Sequence, residues 1–282
     1  ATSGTGVLPQ GDIPYDLVNR LASEASKAAE HVLNICIRAL DYCPPVDITF
    51  GEYLRALITA DRDLVPDDKL GYRVAFLQGF RRRGIYPQLV SNLSPDNVCW
   101  RSPDVELPIE QLLGILKFSW DLRINRRHAY DQSQENAETF RRWLRQNISA
   151  EQAEALGFFR SSKSRMEVNG RMGERRGIEV HSVRPVRRVG PDNQQHLDLV
   201  VEITQSWVPA DGGPLHRGGT TLIIDLERGR IMYSISKRVA NPEHVKKQLS
   251  FRMEMDDATL RSNYFDDRFG GREPFAMLHS GE

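Results

Sequence analysis

The chain has 282 residues, 40% of them apolar and 27% charged, and 38 basic residues balance 38 acidic ones to a formal charge of zero. A chain of this size buries a core without needing disulfides or metal, and no apolar run approaches the ~18 residues of a membrane-spanning helix. Of the basic residues 31 are Arg and 7 are Lys. The clusters Arg81-Arg82-Arg83, Arg126-Arg127, Arg141-Arg142 and Arg187-Arg188 could meet phosphates. Acidic residues are interspersed throughout, however, so they read as solvated faces and nucleic acid is an unfavoured partner. Cys36, Cys43 and Cys99 are odd in number and form no CxxC, which fits buried reduced thiols and a cytoplasmic setting. No signal-peptide pattern opens the chain.

Residues 1 to 14, rich in Gly, Pro and Thr, read as an irregular lead-in. From there Leu17, Leu21, Ala25, Ala28, Val32, Cys36 and Leu40 recur every three to four residues. They predict one helix of about seven turns, with Tyr42 its last residue and Pro44-Pro45 its stop. Thr49 stands three residues before Glu52, the spacing of a capping box. The helix it opens has Tyr53, Leu54, Leu57 and Ile58 on its apolar face, while Arg55, Asp61, Arg62 and Asp63 alternate in sign on the rest. Asp67 or Asp68 can cap a third helix, with Leu70, Val74, Leu77 and Phe80 as its stripe. Arg81 to Arg83 complement its C-terminal dipole and Gly84 permits a left-handed stop. Residues 1 to 87 are thus read as an antiparallel helical bundle.

Residues 88 to 107 carry the Pro and Asn punctuation of a linker, although Cys99 and Trp100 suggest that part of it packs down. Residues 108 to 282 read as an α+β domain. Helices occupy 108 to 157, with Leu112, Ile115, Leu116, Trp120 and Ile124 on one face, then Phe140, Trp143 and Leu144, and Ser149 with Gln152 opening the last. The period then shortens to two, predicting three or four antiparallel strands over 176 to 238. "GIEVHSV" is followed by Pro185 on an edge or bulge, "QHLDLVVEIT" alternates cleanly, and the last hairpin turns at Gly229. Asn241-Pro242 opens a helix over 241 to 256 that can cover the sheet, and a tail follows.

The succession "RALDYCPP", "TFGEYLRALITADRDL" and "AFLQGFRRRGIYP", within residues 27 to 87, resembles the last helices of the thermolysin-like metallopeptidases, the gluzincins. The resemblance implies a supporting C-terminal helical lobe. Such enzymes hold zinc on the two histidines of H-E-x-x-H and use its Glu as general base. That motif does not occur here, "EHVLN" around His31 only reverses it, and Leu8 stands where the family's acid-stabilising histidine is expected. The resemblance therefore implies no cofactor in this chain and zinc in a lobe upstream of Ala1.

No G-x-S-x-G, G-x-x-x-x-G-K-[ST] or strand-flanked G-x-G-x-x-G is present. Asp256-Asp257 and Asp266-Asp267 point apart as sequence neighbours and read as surface acids. "HRGG" at 216 to 219 suits either an anion site or a Gly-rich strand approach. The leading expectation is a non-catalytic portion of a metallopeptidase-like protein, a supporting lobe with an interaction or substrate-contact domain. Its partner is a protein, a peptide or an upstream lobe, and an exposed apolar helical face would drive homo-oligomerisation. The alternative is a self-contained metal-dependent hydrolase with His181, His196 and His216 converging on the sheet.

Overall fold

A computed structural model describes residues 14–118, 125–160, 165–189, 195–213 and 215–254. Leu8 with the lead-in, Trp120, Ile124, the pairs Asp256-Asp257 and Asp266-Asp267, and the tail fall outside them. The fold is α+β. Its helices are α1 (Tyr15–Ala39), α2 (Phe50–Leu64), α3 (Tyr72–Arg81), α4 (Pro95–Val98), α5 (Ile109–Leu113), α6 (Arg126–Asn147), α7 (Ala150–Ala155) and α8 (Pro242–Glu254). No helix among the described residues is long and apolar enough to cross a membrane.

The local signals set the helix ends. α1 tightens into a 3₁₀ turn, Leu40–Tyr42, before the prolines. At α2 the Thr49 hydroxyl accepts from the Glu52 N–H at 3.3 Å and the Glu52 carboxylate accepts from the Thr49 N–H at 2.8 Å. Ser149 and Gln152 form the same reciprocal pair at α7. Asp68 accepts from the Tyr72 and Arg73 N–H groups, and Gly84 has φ +71°. The expected apolar stripes need adjustment. In α1 the buried residues are Ile35 and Ala39, while Leu21 and Leu40 are exposed. α3 begins after Leu70, which is 81% exposed, and buries Arg73 and Leu77.

Among the described residues five strands, not three or four, form one antiparallel meander in the order β1 (Arg165–Val168), β2 (Arg171–Val189), β3 (Gln195–Pro209), β4 (His216–Asp225) and β5 (Arg230–Lys237). The extra strand pairs through Asn169-Gly170, both at positive φ, a two-residue hairpin turn whose Asn-Gly signal stands in the sequence. Among the described residues β1 pairs with positions 171–174 of β2, so Pro185 sits farther along, where β1 does not reach.

Strand register decides which face each apolar residue takes. Leu199 opposite Ile224 and Val201 opposite Leu222 meet Leu112, Phe140, Trp143 and Leu156 of the α5–α7 region. On the other face Ile223, Tyr233 and Ile235 meet Ile35, Ala39, Tyr42 and Leu57. Helices cover both faces, and the N-terminal helices share a core with the sheet. Residues 98–100 also pack onto α2: the Arg55 guanidinium lies 3.8 Å from the Trp100 ring centroid and donates to the Val98 carbonyl, and the Trp100 ring N–H donates to the Tyr42 carbonyl. At one end of the sheet, Val245 of α8 joins Val168, Trp207 and Val239.

The thiols follow from this packing. Cys43 and Cys99 are buried and Cys36 partly so. Burial, with Glu52 and Asp41 nearby, pushes the Cys43 thiol up to about 12, and burial also raises Cys99. A thiol-reactive chromophore at pH 8 is expected to modify at most one cysteine, Cys36, in the native protein and all three in denaturant. Fast native modification of two or more would contradict this packing.

Candidate functional site

On the outer side of the helical layer the residues of α3 fall into two rows, because side chains four apart line up along a helix. Tyr72, Phe76 and Phe80 make a ridge, and Ala75 and Gly79, with Arg83 just past the helix end, make a channel beside it. Val32 of α1, Phe50 at the start of α2 and Ile85 complete a groove of about 540 Å³ with a largely apolar lining. Phe50 is 71% exposed, and Ile48, Leu33, Val74 and Tyr86 of the same helical region are exposed as well. A side chain at Gly51 would come within 2.7 Å of the Tyr86 carbonyl, so this glycine lets the chain after α3 cross the start of α2. Arg83 reaches back to donate to the Gly79 carbonyl at 3.1 Å, which holds it beside the channel.

The ties that join the three helices are polar. Asp61, buried in α2, accepts from the Arg73 Nε–H at 2.7 Å, and the rest of that guanidinium donates to the carbonyls of Val65 and Pro66. His31 of α1 stands 3.3 Å from the other Asp61 oxygen, and its ring meets that of Tyr72 at a 45° tilt, 4.4 Å between centroids. His31 therefore joins α1, α2 and α3. Between helices and sheet, Asp63 accepts from Tyr42 at 2.8 Å and from Tyr233 at 2.6 Å, and Arg188 donates to Tyr42 and Asp198. Burial alone would lower the Arg188 pKa. The Tyr42 oxygen and the carboxylates of Asp198, Asp41 and Asp63 outweigh it and hold the guanidinium charged. Burial places both tyrosines above their usual range. The charges of α2 are thus internal ties, which periodicity alone did not reveal.

The three histidines of the metal alternative occupy separate surroundings. His196 pairs with Arg188 at one end of the sheet, and His216 pairs with Trp207 toward the other. The 11 residues of β3 between positions 196 and 207 span roughly 36 Å at ~3.3 Å each. His181 falls at a β2 register shift, 2.6 Å from the Thr204 hydroxyl. Among the described residues no group of three or more His, Cys, Asp or Glu is placed to hold a metal ion.

His216 is buried, with Nδ1 3.2 Å from the Gln248 carbonyl oxygen. The glycines of "HRGG" admit neighbouring backbone: a side chain at Gly218 would lie 2.3 Å from the Val239 nitrogen, and one at Gly219 2.5 Å from the Ile203 carbonyl. A second groove, between α6 and β2, measures about 490 Å³ and mixes Arg141, Arg145, Arg175 and Arg176 with Glu174 and Glu179.

Comparison with known proteins finds no matching protein-family model, no matching curated protein and no matching solved structure.

Proposed function

We propose that this chain is a non-catalytic supporting and contact module, whose helical layer seats an apolar element of a protein partner or of another lobe of the same polypeptide. The observation that carries this reading is the groove beside α3, an apolar channel lined in part by Phe50, which is largely exposed. Exposed apolar surface of this kind marks interaction sites. The gluzincin-like order of the first three helices agrees with it, since a bracing lobe needs an apolar face toward what it braces.

Gly79 makes the test clean. A Cβ there meets nothing within 4 Å, so Gly79→Leu can start into the channel without a clash at its first carbon, and loss of a mid-helix glycine gains about 0.5–1 kcal/mol. We expect the wild-type chain to bind one equivalent of an anionic apolar dye, and Gly79→Leu to weaken that binding about tenfold at an unchanged or slightly higher Tm. Equal dye binding by the two proteins would remove the groove as the contact site.

A further inference from the structure

Resting on that reading, we infer that the groove takes an amphipathic helix of a partner protein, whose first turn is acidic and lies against Arg81, Arg82 and Arg83. Three features of the site point to this occupant. The first is shape. Ala75 and Gly79, one turn apart, leave a channel between the Tyr72–Phe76–Phe80 ridge and Phe50, the form into which a ridge of a second helix packs. An apolar face with anchors at i, i+3 or i+4, and i+7 matches such a channel.

The second feature is charge. The channel runs into Arg83, and Arg81 and Arg82 beside it are exposed, with no ion-pair partner for any of the three among the described residues. Asp67 and Asp68 lie at the opposite end of α3. The groove is therefore basic at its Arg83 end, and a complementary segment carries its carboxylates there.

The third feature is direction. Helices favour Asp and Glu in the first turn, where the dipole is positive. A helix lying antiparallel to α3 brings that turn to the arginines and sets its positive pole against the negative C-terminal pole of α3. Exposed charges of this kind act mainly through selectivity and association rate, and they are screened by salt.

The experiment uses the full 282-residue chain and three labelled synthetic helical peptides of identical apolar pattern, with three Glu, three Gln or three Lys in the first turn. Fluorescence anisotropy at low salt should rank them Glu, Gln, Lys, with about tenfold between the first two. At 1 M salt, where the Debye length is about 3 Å, the gap should shrink to about twofold. Arg81→Glu with Arg82→Glu should reverse the order, and Gly79→Leu should weaken all three.

Equal affinity for the three peptides would overturn the charge assignment and leave the groove reading standing. Dye binding without any peptide binding would overturn the helical occupant alone. Peptide binding indifferent to Gly79→Leu would place the peptide elsewhere and overturn the inference. A wild-type chain that sediments as a dimer and a Gly79→Leu chain that sediments as a monomer would make the occupant a second copy, overturning it as well. Loss of both dye and peptide binding would remove the groove reading together with the inference.

Discussion

Replacing Arg188 by Met is expected to lower stability by about 3–5 kcal/mol in urea denaturation, among the largest effects of any single change in this chain. Arg188 is 7% exposed and stands where β2 and β3 meet the helical layer. It donates to Tyr42 at 2.6 Å and to Asp198, with its guanidinium 4.8 Å from the Tyr42 ring centroid. Removing the cation leaves the Asp198 carboxylate buried without its counter-charge and takes one donor from the Tyr42–Asp63–Tyr233 chain. The double variant Arg188→Met with Asp198→Leu should recover most of the loss, because deleting both members of a buried pair removes both desolvation penalties. Tyr42→Phe, which breaks hydrogen bonds but strands no full charge, should cost about 1–3 kcal/mol. A single Arg188→Met cost below about 1 kcal/mol would mean that the pair is solvated.

This network also shows where the sequence stops being informative. The capping boxes at Thr49 and Ser149 were legible because each is closed within three residues, and the change of period marked the passage from helix to sheet. β1 was equally within reach, since Asn169-Gly170 is a strong short hairpin signal, but its two flanking strands lack clean alternation. The burial of Asp61 and Asp63 was not legible. Their partners lie 12 residues on, at Arg73, and 170 residues on, at Tyr233, and no periodicity encodes such a pairing.

The same limit applies to the candidate sites. The positions of His181, His196 and His216 on strands could be read from the sequence, whereas the register that separates them is a property of the assembled sheet. For the groove, the four-residue spacing of Ala75, Gly79 and Arg83 is plain in the sequence. That the channel stays open depends on how α1 and the start of α2 lie beside α3.

Trp207→Ala is the second large effect, expected at about 3–5 kcal/mol for loss of a fully buried indole. Trp207 is 1% exposed and packs with Val168, Val239 and Val245, so it joins the β1–β2 hairpin, the segment after β5 and α8 at one end of the sheet. Its ring N–H donates to the Met166 carbonyl at 3.2 Å, and its centroid lies 5.4 Å from that of His216. The place for the indole is made by Gly173, where a side chain would fall 2.4 Å from the ring and 2.5 Å from the Val208 carbonyl. Gly173→Val should therefore damage the same end by overpacking, at about 1–3 kcal/mol.

Hydrogen exchange separates this end of the sheet from the rest of the fold. In Trp207→Ala the amides of α8 should lose protection first, although His244 and Gln248 keep their bonds to the Asp47 carboxylate. The amides of α2 should remain protected. None of the residues around Trp207 lines the groove beside α3, so dye and peptide binding should persist below the lowered Tm. Loss of binding in the folded Trp207→Ala protein would mean that the two ends of the molecule are coupled, and that the helical layer does not hold its docking surface by itself.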